Sequence, residues 1–416
     1  MAPRLHTRRI ESNSRVNFYN EKVRVKMNVA VGVANKTDDR TCSDWQGLCV
    51  ADLNGGNNSL RLFTEGDNLH DAMISAIEAA QRSIRLEGFI FAADEVGWRF
   101  ARALSAKARA GVDVRFHFDS RGAATGYSAD LFRQMMDAGV KLKWYRPWSW
   151  RHPTRYFQRN HRKLLVVDEQ QLFLGGFNIR RENSRALCGE GCQRDTHVSI
   201  KGELARHAAT LFDQMWYDPE HPYADAANET SVFDTLQTPN FACLGWKRIA
   251  CLYAGLIQNS TRNVYITTPY FCPGSVVAKA ARQAAKRGVD VRIVVPRYSD
   301  PTFVGWLTRS GYASLIADGI RVYEYLPLPR GKLHAKTAVI DDDWCIVGSP
   351  NLDHLSLLVN HELLLIARDR RLGEGLREQY FKDLADSSEV QALEWVKRGW
   401  TERCLEAIGW TARKIL

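Results

Sequence analysis

Two periods of apolar residues alternate along most of the chain. The three-to-four-residue spacing of a helix with one buried face occurs in GDNLHDAMISAIEAAQRS and again in GWRFARALSAKARAG. Each of these segments leads into a short apolar run typical of a buried strand, first IRLEGFIF and then VDVRFHF. Helices and strands that alternate in this way predict layered α/β domains.

The whole succession occurs twice. KARAGVDVRFHF at residues 107–118 recurs as AAKRGVDVRIVV at 284–295, and MMDAGVKLKWY at 135–145 recurs as LIADGIRVYEY at 315–325. A third match pairs His161 with His334, and the three offsets are 177, 180 and 173 residues. Ordered matches at a nearly constant offset indicate that one α/β unit is used twice.

The duplication sets the predicted domain limits. The first domain is expected at residues 57–225 and the second at 242–388, joined by a linker at 226–241 within a stretch rich in Pro, Asp, Asn and Thr. Residues 1–56 would form an N-terminal extension. Residues 389–416 would form a C-terminal tail, whose tryptophans accompany a weakly amphipathic, interfacial helix.

One motif carries polar residues that the strand pattern does not explain. It has the form HxKxxxxD, then six residues, then Gly, a small residue, any residue and Asn. The first copy consists of His161, Lys163, Asp168, Gly175, Gly176 and Asn178. The second copy consists of His334, Lys336, Asp341, Gly348, Ser349 and Asn351. Two matches at the repeat offset rule out coincidence, so both copies are expected to share a task.

The spacing within the motif favours a phosphate site. Residues two apart in a strand point to one face, so His161 and Lys163 project together while Arg162 points away. Lysine supplies a positive charge suited to phosphate, the asparagine adds an amide donor, and the small pair would let backbone approach a ligand. Two such sets could meet at a pseudo-twofold interface and surround one phosphodiester.

The composition of the chain limits the kinds of partner that it is expected to bind. A formal net charge of +10 and a pI near 9.1 favour nucleic acid or an anionic membrane surface, with solubility alone as a rival explanation. The nine scattered cysteines favour a reducing compartment, and Cys188 and Cys192 in CGEGC favour a tight loop over a zinc site. No apolar run approaches the roughly 20 residues that span a bilayer, and the basic N-terminus does not look like a secretory signal.

The doubled motif resembles that of the phospholipase D superfamily, and the resemblance covers nearly the whole chain after residue 57. Surrounding residues that also match are Glu87, Asp195, Asn351, Asp353, Ser356, Asn360 and Glu362. Within the superfamily these details are similar to bacterial cardiolipin synthases that lack N-terminal membrane helices. The resemblance implies two homologous α/β/α domains related by a pseudo-twofold axis, with the active site at their interface and no metal or other cofactor.

The resemblance also implies catalytic roles. His161 would attack the phosphodiester to give a covalent phosphohistidine, and His334 would protonate the departing alcohol and later deprotonate the acceptor. Asp195 and Glu362 would accept the other imidazole N–H and fix each ring, with Glu87 as a third orienting acid.

The remaining motif residues would either anchor the backbone of the motif or bind the phosphate. Asp168 and Asp341 belong to the catalytic motif, but at the far ends of their strands they are expected to anchor its backbone rather than touch substrate. The phosphate oxygens would be held by Lys163, Lys336, Asn178, Asn351, Gly175, Gly176 and Ser349.

The substrate is suggested by WYRPWSWRHPTRYFQRNH, which interleaves aromatic rings with arginines before the first motif. This composition suits a membrane interface, and it also suits single-stranded nucleic acid or ordinary loop packing. The resemblance of the residues around the second motif implies, as the favoured interpretation, a cardiolipin synthase that uses phosphatidylglycerol as donor and acceptor and releases glycerol. Phosphatidylethanolamine is a second possible phospholipid, and nucleic acid is disfavoured as a partner.

Two alternatives stay open: a phosphodiesterase that hydrolyses phospholipid or nucleic acid, and a noncatalytic protein that binds membrane or nucleic acid. The expected location of the enzyme is cytoplasmic and peripheral, on the inner face of the cell membrane.

Overall fold

The computed structural model describes residues 51–52, 59–219, 248–272, 275–326 and 331–411. The predicted linker and most of the predicted N-terminal extension lie outside these ranges. A short strand, β1 (Ala51–Asp52), precedes the first half of the fold.

In the described ranges the first half has eight strands, seven of which form one sheet with helices around it. Its strands are β2 (Ser59–Phe63), β3 (Ser83–Gly88), β4 (Asp113–Asp119), β5 (Lys141–Tyr145), β6 (Leu164–Val167), β7 (Gln171–Gly175), β8 (Gln193–Arg194) and β9 (His197–Lys201). Its helices are α1 (Gly66–Ala79), α2 (Glu95–Arg109), α3 (Ser120–Ala123), α4 (Ala129–Asp137), α5 (Arg185–Cys188) and α6 (Glu203–Tyr217).

The second half repeats the arrangement. Its strands are β10 (Asn263–Thr267), β11 (Asp290–Pro296), β12 (Arg321–Tyr325), β13 (Lys332–Leu333), β14 (Thr337–Ile340), β15 (Trp344–Gly348), β16 (Leu364–Arg368) and β17 (Ser387–Glu389). Its helices are α7 (Arg248–Gln258), α8 (Ser275–Lys286), α9 (Thr302–Ser310), α10 (Tyr312–Ala317), α11 (His354–Leu358), α12 (Arg370–Ala385), α13 (Ala392–Lys397) and α14 (Trp400–Thr411).

The two sheets have matching topology, which confirms the predicted α/β fold of two homologous halves. The first sheet runs β2-β9-β7-β6-β3-β4-β5, and the second runs β1-β16-β15-β14-β10-β11-β12-β17. In each, three parallel strands joined through helices continue into three antiparallel strands that follow the motif histidine. The strands β3 and β10, β4 and β11, and β6 and β14 are therefore equivalent.

Local sequence explains how the helices begin. The Asp94 side chain accepts hydrogen bonds from the N–H groups of Val96 and Gly97, both at 3.0 Å, and so caps α2. The apolar face of α2 buries Phe100 and Leu104 against the first sheet. Capping and one-sided burial together account for a helix at the predicted position.

The strands of the motif are buried on both faces. Leu165 and Val167 of β6 face the core of the first half, whereas Leu164 and Val166 join a separate core between the halves. This interface core brings β6, β7 and β9 together with β14, β15 and β16. Burial of each such side chain stabilises the fold by roughly 1.5–3 kcal/mol, so the halves pack as one body.

Both chain segments predicted to flank the domains contribute to the second half. The strand β1 pairs in parallel with β16, although residues 51–52 fall in the predicted N-terminal extension. The strand β17 crosses the predicted boundary at residue 388 and pairs with β12. In the predicted tail, α13 buries Trp395 in the second core. None of the helices in the described ranges is both long and apolar enough to cross a bilayer.

Candidate active site

Short strand pairings between the halves bring the two motif histidines together. The strands β13 and β8 pair in parallel, and the N–H of His334 donates to the carbonyl of Arg194 at 2.8 Å. At the equivalent place in the other half, the N–H of His161 donates to the carbonyl of His361 at 2.9 Å. Each histidine is thereby tied to the segment of the opposite half that carries an acid.

Each imidazole is held by a carboxylate from the opposite half. Nδ1 of His161 lies 3.0 Å from both carboxylate oxygens of Glu362, and Nδ1 of His334 lies 2.5 Å from Oδ2 of Asp195. Both acids are buried. Because Nδ1 of each ring is engaged, Nε2 is the nitrogen that is left for a reacting phosphorus or proton.

The acids remain ionised in spite of their burial. Burial alone would raise the pKa of Asp195, yet Lys336 and His334 hold it below the ordinary value. Burial acts in the same direction on Glu362, whose pKa is lowered by His161 and Lys163. The lysine and the histidine of the opposite half thus together offset the effect of burial on the pKa of each acid.

The two motif lysines lie buried beside their histidines. Nζ of Lys163 donates to the carbonyl of His161 at 2.8 Å, and Nζ of Lys336 donates to the carbonyl of His334. Burial lowers the pKa of Lys163 to about 7 and that of Lys336 to about 8. A phosphate anion beside them would favour their charged forms, so the pair is suited to bind an anion.

The histidines are neutral near pH 7 in the protein alone. Burial lowers the pKa of His161, partly offset by Glu362, and burial together with Lys336 lowers that of His334 to about 3. An anionic phosphodiester beside Nε2 would stabilise the imidazolium form. The negative charge of the substrate can therefore raise the pKa of one histidine, so that a protonated histidine lies next to a neutral one.

A cavity of about 530 Å³ opens onto this centre. Its walls include both motif histidines and both motif asparagines, together with Phe89, Arg121, Phe157, Arg159, Arg180, Gln193, Phe303, Lys332 and Asp353. The carboxamide oxygen of Asn178 accepts a hydrogen bond from the N–H of Ile90 at 3.2 Å, which turns the amide nitrogen toward other partners. The volume is within the range of sites for small organic ligands.

The small motif residues pack against the segments that carry the orienting acids. A Cβ on Gly176 would lie 2.0 Å from Oδ1 of Asp195, and one on Gly175 would lie 2.4 Å from the carbonyl oxygen of Thr196. The hydroxyl of Ser349 donates to Glu362 at 2.5 Å. Gly176 therefore makes room for Asp195, Gly175 makes room for the backbone that follows it, and Ser349 holds Glu362, while their contact with phosphate stays a prediction.

The motif aspartates anchor turns at the far ends of their strands, as expected. The carboxylate of Asp168 accepts hydrogen bonds from the N–H groups of Gln81, Arg82 and Ser83 at 2.7–2.8 Å. That of Asp341 accepts from three N–H groups at the equivalent turn, residues 261–263. Each aspartate has a φ of 52°, a conformation that aspartate tolerates better than most residues.

Glu87 does not orient a catalytic histidine. Its carboxylate lies 2.9 Å from Nε of Arg162 and 3.5 Å from Nδ1 of His117, and all three side chains are fully buried. Arg162 points away from the cavity because it alternates with His161, as the strand period predicts. The prediction for Glu87 is corrected: it neutralises a buried arginine beneath the first motif.

Two arginines of the cavity region have roles that the sequence did not predict. Arg159, one of the arginines of the aromatic stretch before the first motif, forms a buried ion pair with Asp119 at 2.8 Å. Arg180 lines the cavity two residues after Asn178. Arg180 could have been found from the strand period, because it follows the motif asparagine at an even spacing.

Two α/β halves that each bring an HxKxxxxD motif to one cavity are typical of the phospholipase D-like class of proteins. A family model described as cardiolipin synthase, PLD-like domain, matches residues 73–216 and 253–384. The cardiolipin synthase of Clostridium perfringens (strain 13 / Type A) is 31% identical over 397 residues, 89% of this chain and 81% of that protein. That of Staphylococcus aureus (strain N315) is 30% identical over 372 residues, 86% of this chain and 74% of that protein. The chain belongs to the cardiolipin synthase family of phospholipase D-like proteins, which confirms the predicted resemblance.

The fold also occurs among solved structures. The crystal structure of phosphatidylserine synthase from Haemophilus influenzae Rd KW20 matches with a TM-score of 0.69, covering 86% of this chain and 95% of that chain at 14% sequence identity. At this identity the match supports the bilobal fold alone.

Proposed function

We propose that the protein is a cardiolipin synthase that transfers a phosphatidyl group from one phosphatidylglycerol to another and releases glycerol. The observation that carries the proposal is the pair of motif histidines on one cavity, each held by a buried carboxylate of the opposite half. Family membership supports the same reaction.

The first step makes a covalent intermediate. Nε2 of His161 forms a bond to phosphorus while the bond from phosphorus to the glycerol oxygen breaks, and His334 gives its proton to that oxygen. Lys163, Lys336 and the motif asparagines stabilise the charge that develops on the phosphoryl oxygens.

In the second step a new alcohol attacks phosphorus and His161 is the leaving group. The hydroxyl oxygen of the acceptor phosphatidylglycerol bonds to phosphorus, the bond between phosphorus and His161 breaks, and the hydroxyl proton passes to His334. Hydrolysis would share the first step and would differ only in having water as the acceptor. Phosphatidylethanolamine would serve as a donor if its ethanolamine head could leave in place of glycerol.

The proposed partner is an anionic membrane surface, and the proposed location is the inner face of the cell membrane. Trp148, Trp150 and Phe157, which form the first apolar rim, are 47%, 87% and 64% exposed, and Phe157 lines the cavity. Exposed aromatic rings among arginines suit the headgroup region of a bilayer. The net charge of +10 adds attraction to anionic lipid.

The experiment that tests the function is product analysis of the purified protein with phosphatidylglycerol vesicles. Cardiolipin and glycerol in equal amounts are expected, and acid quenching of labelled lipid should leave label on His161. His161→Asn and His334→Asn are expected to abolish turnover. Phosphatidic acid as the sole product would contradict transfer, and label on His334 would reverse the assignment of the nucleophile.

A further inference from the structure

The two halves carry opposite charges at one equivalent position of the cavity. Asn178 of the first motif corresponds to Asn351 of the second, so Arg180 corresponds to Asp353. Both residues line the cavity. The pseudo-twofold relation is therefore broken at a place where it could distinguish one ligand group from another.

Asp353 has a structural partner that accounts for its position. Its carboxylate accepts a hydrogen bond from the N–H of Ser356 at 2.7 Å and caps α11. Burial raises the pKa of Asp353 to about 6, so its charge is weakened near neutral pH.

Arg180 lies on the His334 side. Its Nη2 donates to Oε1 of Gln193 at 3.1 Å, and Gln193 pairs with Lys332 between β8 and β13, next to His334. The pKa of Lys336, lowered mainly by burial, is affected by the charges of both Asp353 and Arg180, so this lysine is near both residues.

The positive charge of Arg180 is incompletely balanced. Its carboxylate neighbour, Glu182, lies 3.5 Å from Nε and is 52% exposed, whereas the Arg180 side chain is 15% exposed. Lys332 contacts Asp300 at 3.5 Å in an exposed pair that water and salt would screen. Arg180 and Lys332 thus form a cationic wall beside His334, separate from the two motif lysines.

The geometry of the displacement at phosphorus determines which part of the substrates would lie beside Arg180 and Lys332. When His161 attacks phosphorus, the departing alcohol and later the attacking alcohol lie on the opposite face, beside His334. A leaving glycerol is neutral. An acceptor phosphatidylglycerol carries its own phosphodiester, separated from the attacking hydroxyl by a three-carbon glycerol. Only the acceptor lipid brings a second anion to this side.

We propose that Arg180, with Lys332, forms a second phosphate subsite that binds the phosphodiester of the acceptor phospholipid. The subsite rests on the proposed function and deepens it, because it selects a lipid alcohol over free glycerol or water as the acceptor. Arginine suits the task, since its planar guanidinium can bind two phosphate oxygens at once.

The test compares two acceptors for the same donor. Phosphatidylglycerol vesicles are supplied with labelled glycerol, and the enzyme's cardiolipin synthesis and its exchange of labelled glycerol into phosphatidylglycerol are measured together. For Arg180→Gln, cardiolipin synthesis should fall about 10- to 100-fold, as expected for loss of a charged hydrogen bond, while glycerol exchange keeps the wild-type rate. Arg180→Lys should restore part of the synthesis.

Arg181→Gln is the matched control. Arg181 adjoins Arg180 but pairs with Glu95 at 3.4 Å and is 47% exposed, so both reactions should keep their wild-type rates. Lys332→Gln provides a second variant of the subsite, with a smaller selective loss of cardiolipin synthesis, should Arg180→Gln fail to fold.

The possible results distinguish failure of the proposed subsite from failure of the proposed function. Equal loss of both reactions in folded Arg180→Gln, or no loss of either, would overturn the subsite while wild-type cardiolipin synthesis upholds the function. A wild-type protein that exchanges glycerol but makes no cardiolipin would overturn the proposed function and the subsite with it.

Discussion

Glu362 sets both the orientation and the charge of His161, because its two oxygens lie 3.0 Å from Nδ1. Glu362→Gln removes the negative charge that favours the imidazolium, so the pKa of His161 should fall further below its ordinary value. We expect kcat for cardiolipin synthesis to fall at least about 100-fold, by analogy with other carboxylate-held histidines. Imidazole titration by NMR and steady-state kinetics measure the two effects, and an unchanged His161 titration would contradict the role.

Single residues were predictable where their role follows from the strand period, and not where it depends on a neighbour from another strand. His161 and Lys163 share a face because they lie two residues apart. Gly176 is small because Asp195, nineteen positions later in the chain, needs the space, and only the register of β7 against β9 reveals this. Glu87 was misassigned because its partner, Arg162, was treated as a side chain turned away from the site.

At the scale of elements, Asp168 fixes β6 to the turn before β3. Burial alone would raise its pKa, yet the three backbone N–H groups hold it below 3.8, so its stabilising effect is full above that pH and is lost as pH falls through the lower folded-state value. Asp168→Asn should lower the free energy of unfolding by about 1–2 kcal/mol at pH 7. The difference from wild type should shrink as the pH falls below 3.8.

Denaturant titration at pH 7 and at a pH below 3.8 measures this difference in the free energy of unfolding. The control variant is Asp130→Asn. Asp130 forms only an exposed ion pair with Arg133 at 3.4 Å, so its substitution should leave stability nearly unchanged at either pH. A constant difference between wild type and Asp168→Asn at both pH values would mean that the ionised carboxylate is not the stabilising form.

The long elements were predictable and the short ones were not. The apolar periods of α1, α2, β3 and β4 are strong because each buries a full face in the first core. The two-residue strands β8 and β13 carry no period, although their pairing brings the halves of the site together. The strand β1 was assigned to a flanking segment, and the predicted domain end at residue 388 divides β17, because pairing with a sheet edge leaves little trace in so few residues.

At the scale of the whole molecule, the repeat predicted two halves around one phosphate but not the exchange of acids between them. Asp195 follows the first motif in the chain and holds His334 of the second, while Glu362 follows the second motif and holds His161. The sequence did not assign either acid to a particular histidine. The interface core decides the pairing, because it places the end of each half beside the motif of the other.

The proposed membrane docking would also be a property of the whole molecule, because the cavity is flanked by apolar side chains from both halves. A second apolar rim consists of Phe303, which lines the cavity, and of Trp400 and Ile408 on α14, which packs against α9. These side chains are 40%, 76% and 58% exposed. Trp150→Ser and Trp400→Ser should each weaken binding to phosphatidylglycerol vesicles about 10-fold or more, since each removes a ring that would be buried in the headgroup region.

Vesicle co-sedimentation measures this binding, and turnover of a soluble short-chain phosphatidylglycerol shows whether the site itself is intact. Tyr217→Ser is the matched control: Tyr217 is 68% exposed, but it contacts Arg115 near the start of β4, at the end of the strand opposite the cavity. Its substitution should leave vesicle binding unchanged. Equal loss of soluble turnover in the rim variants would show that the rims shape the cavity, and equal vesicle binding by all three variants would exclude the rims as the docking surface.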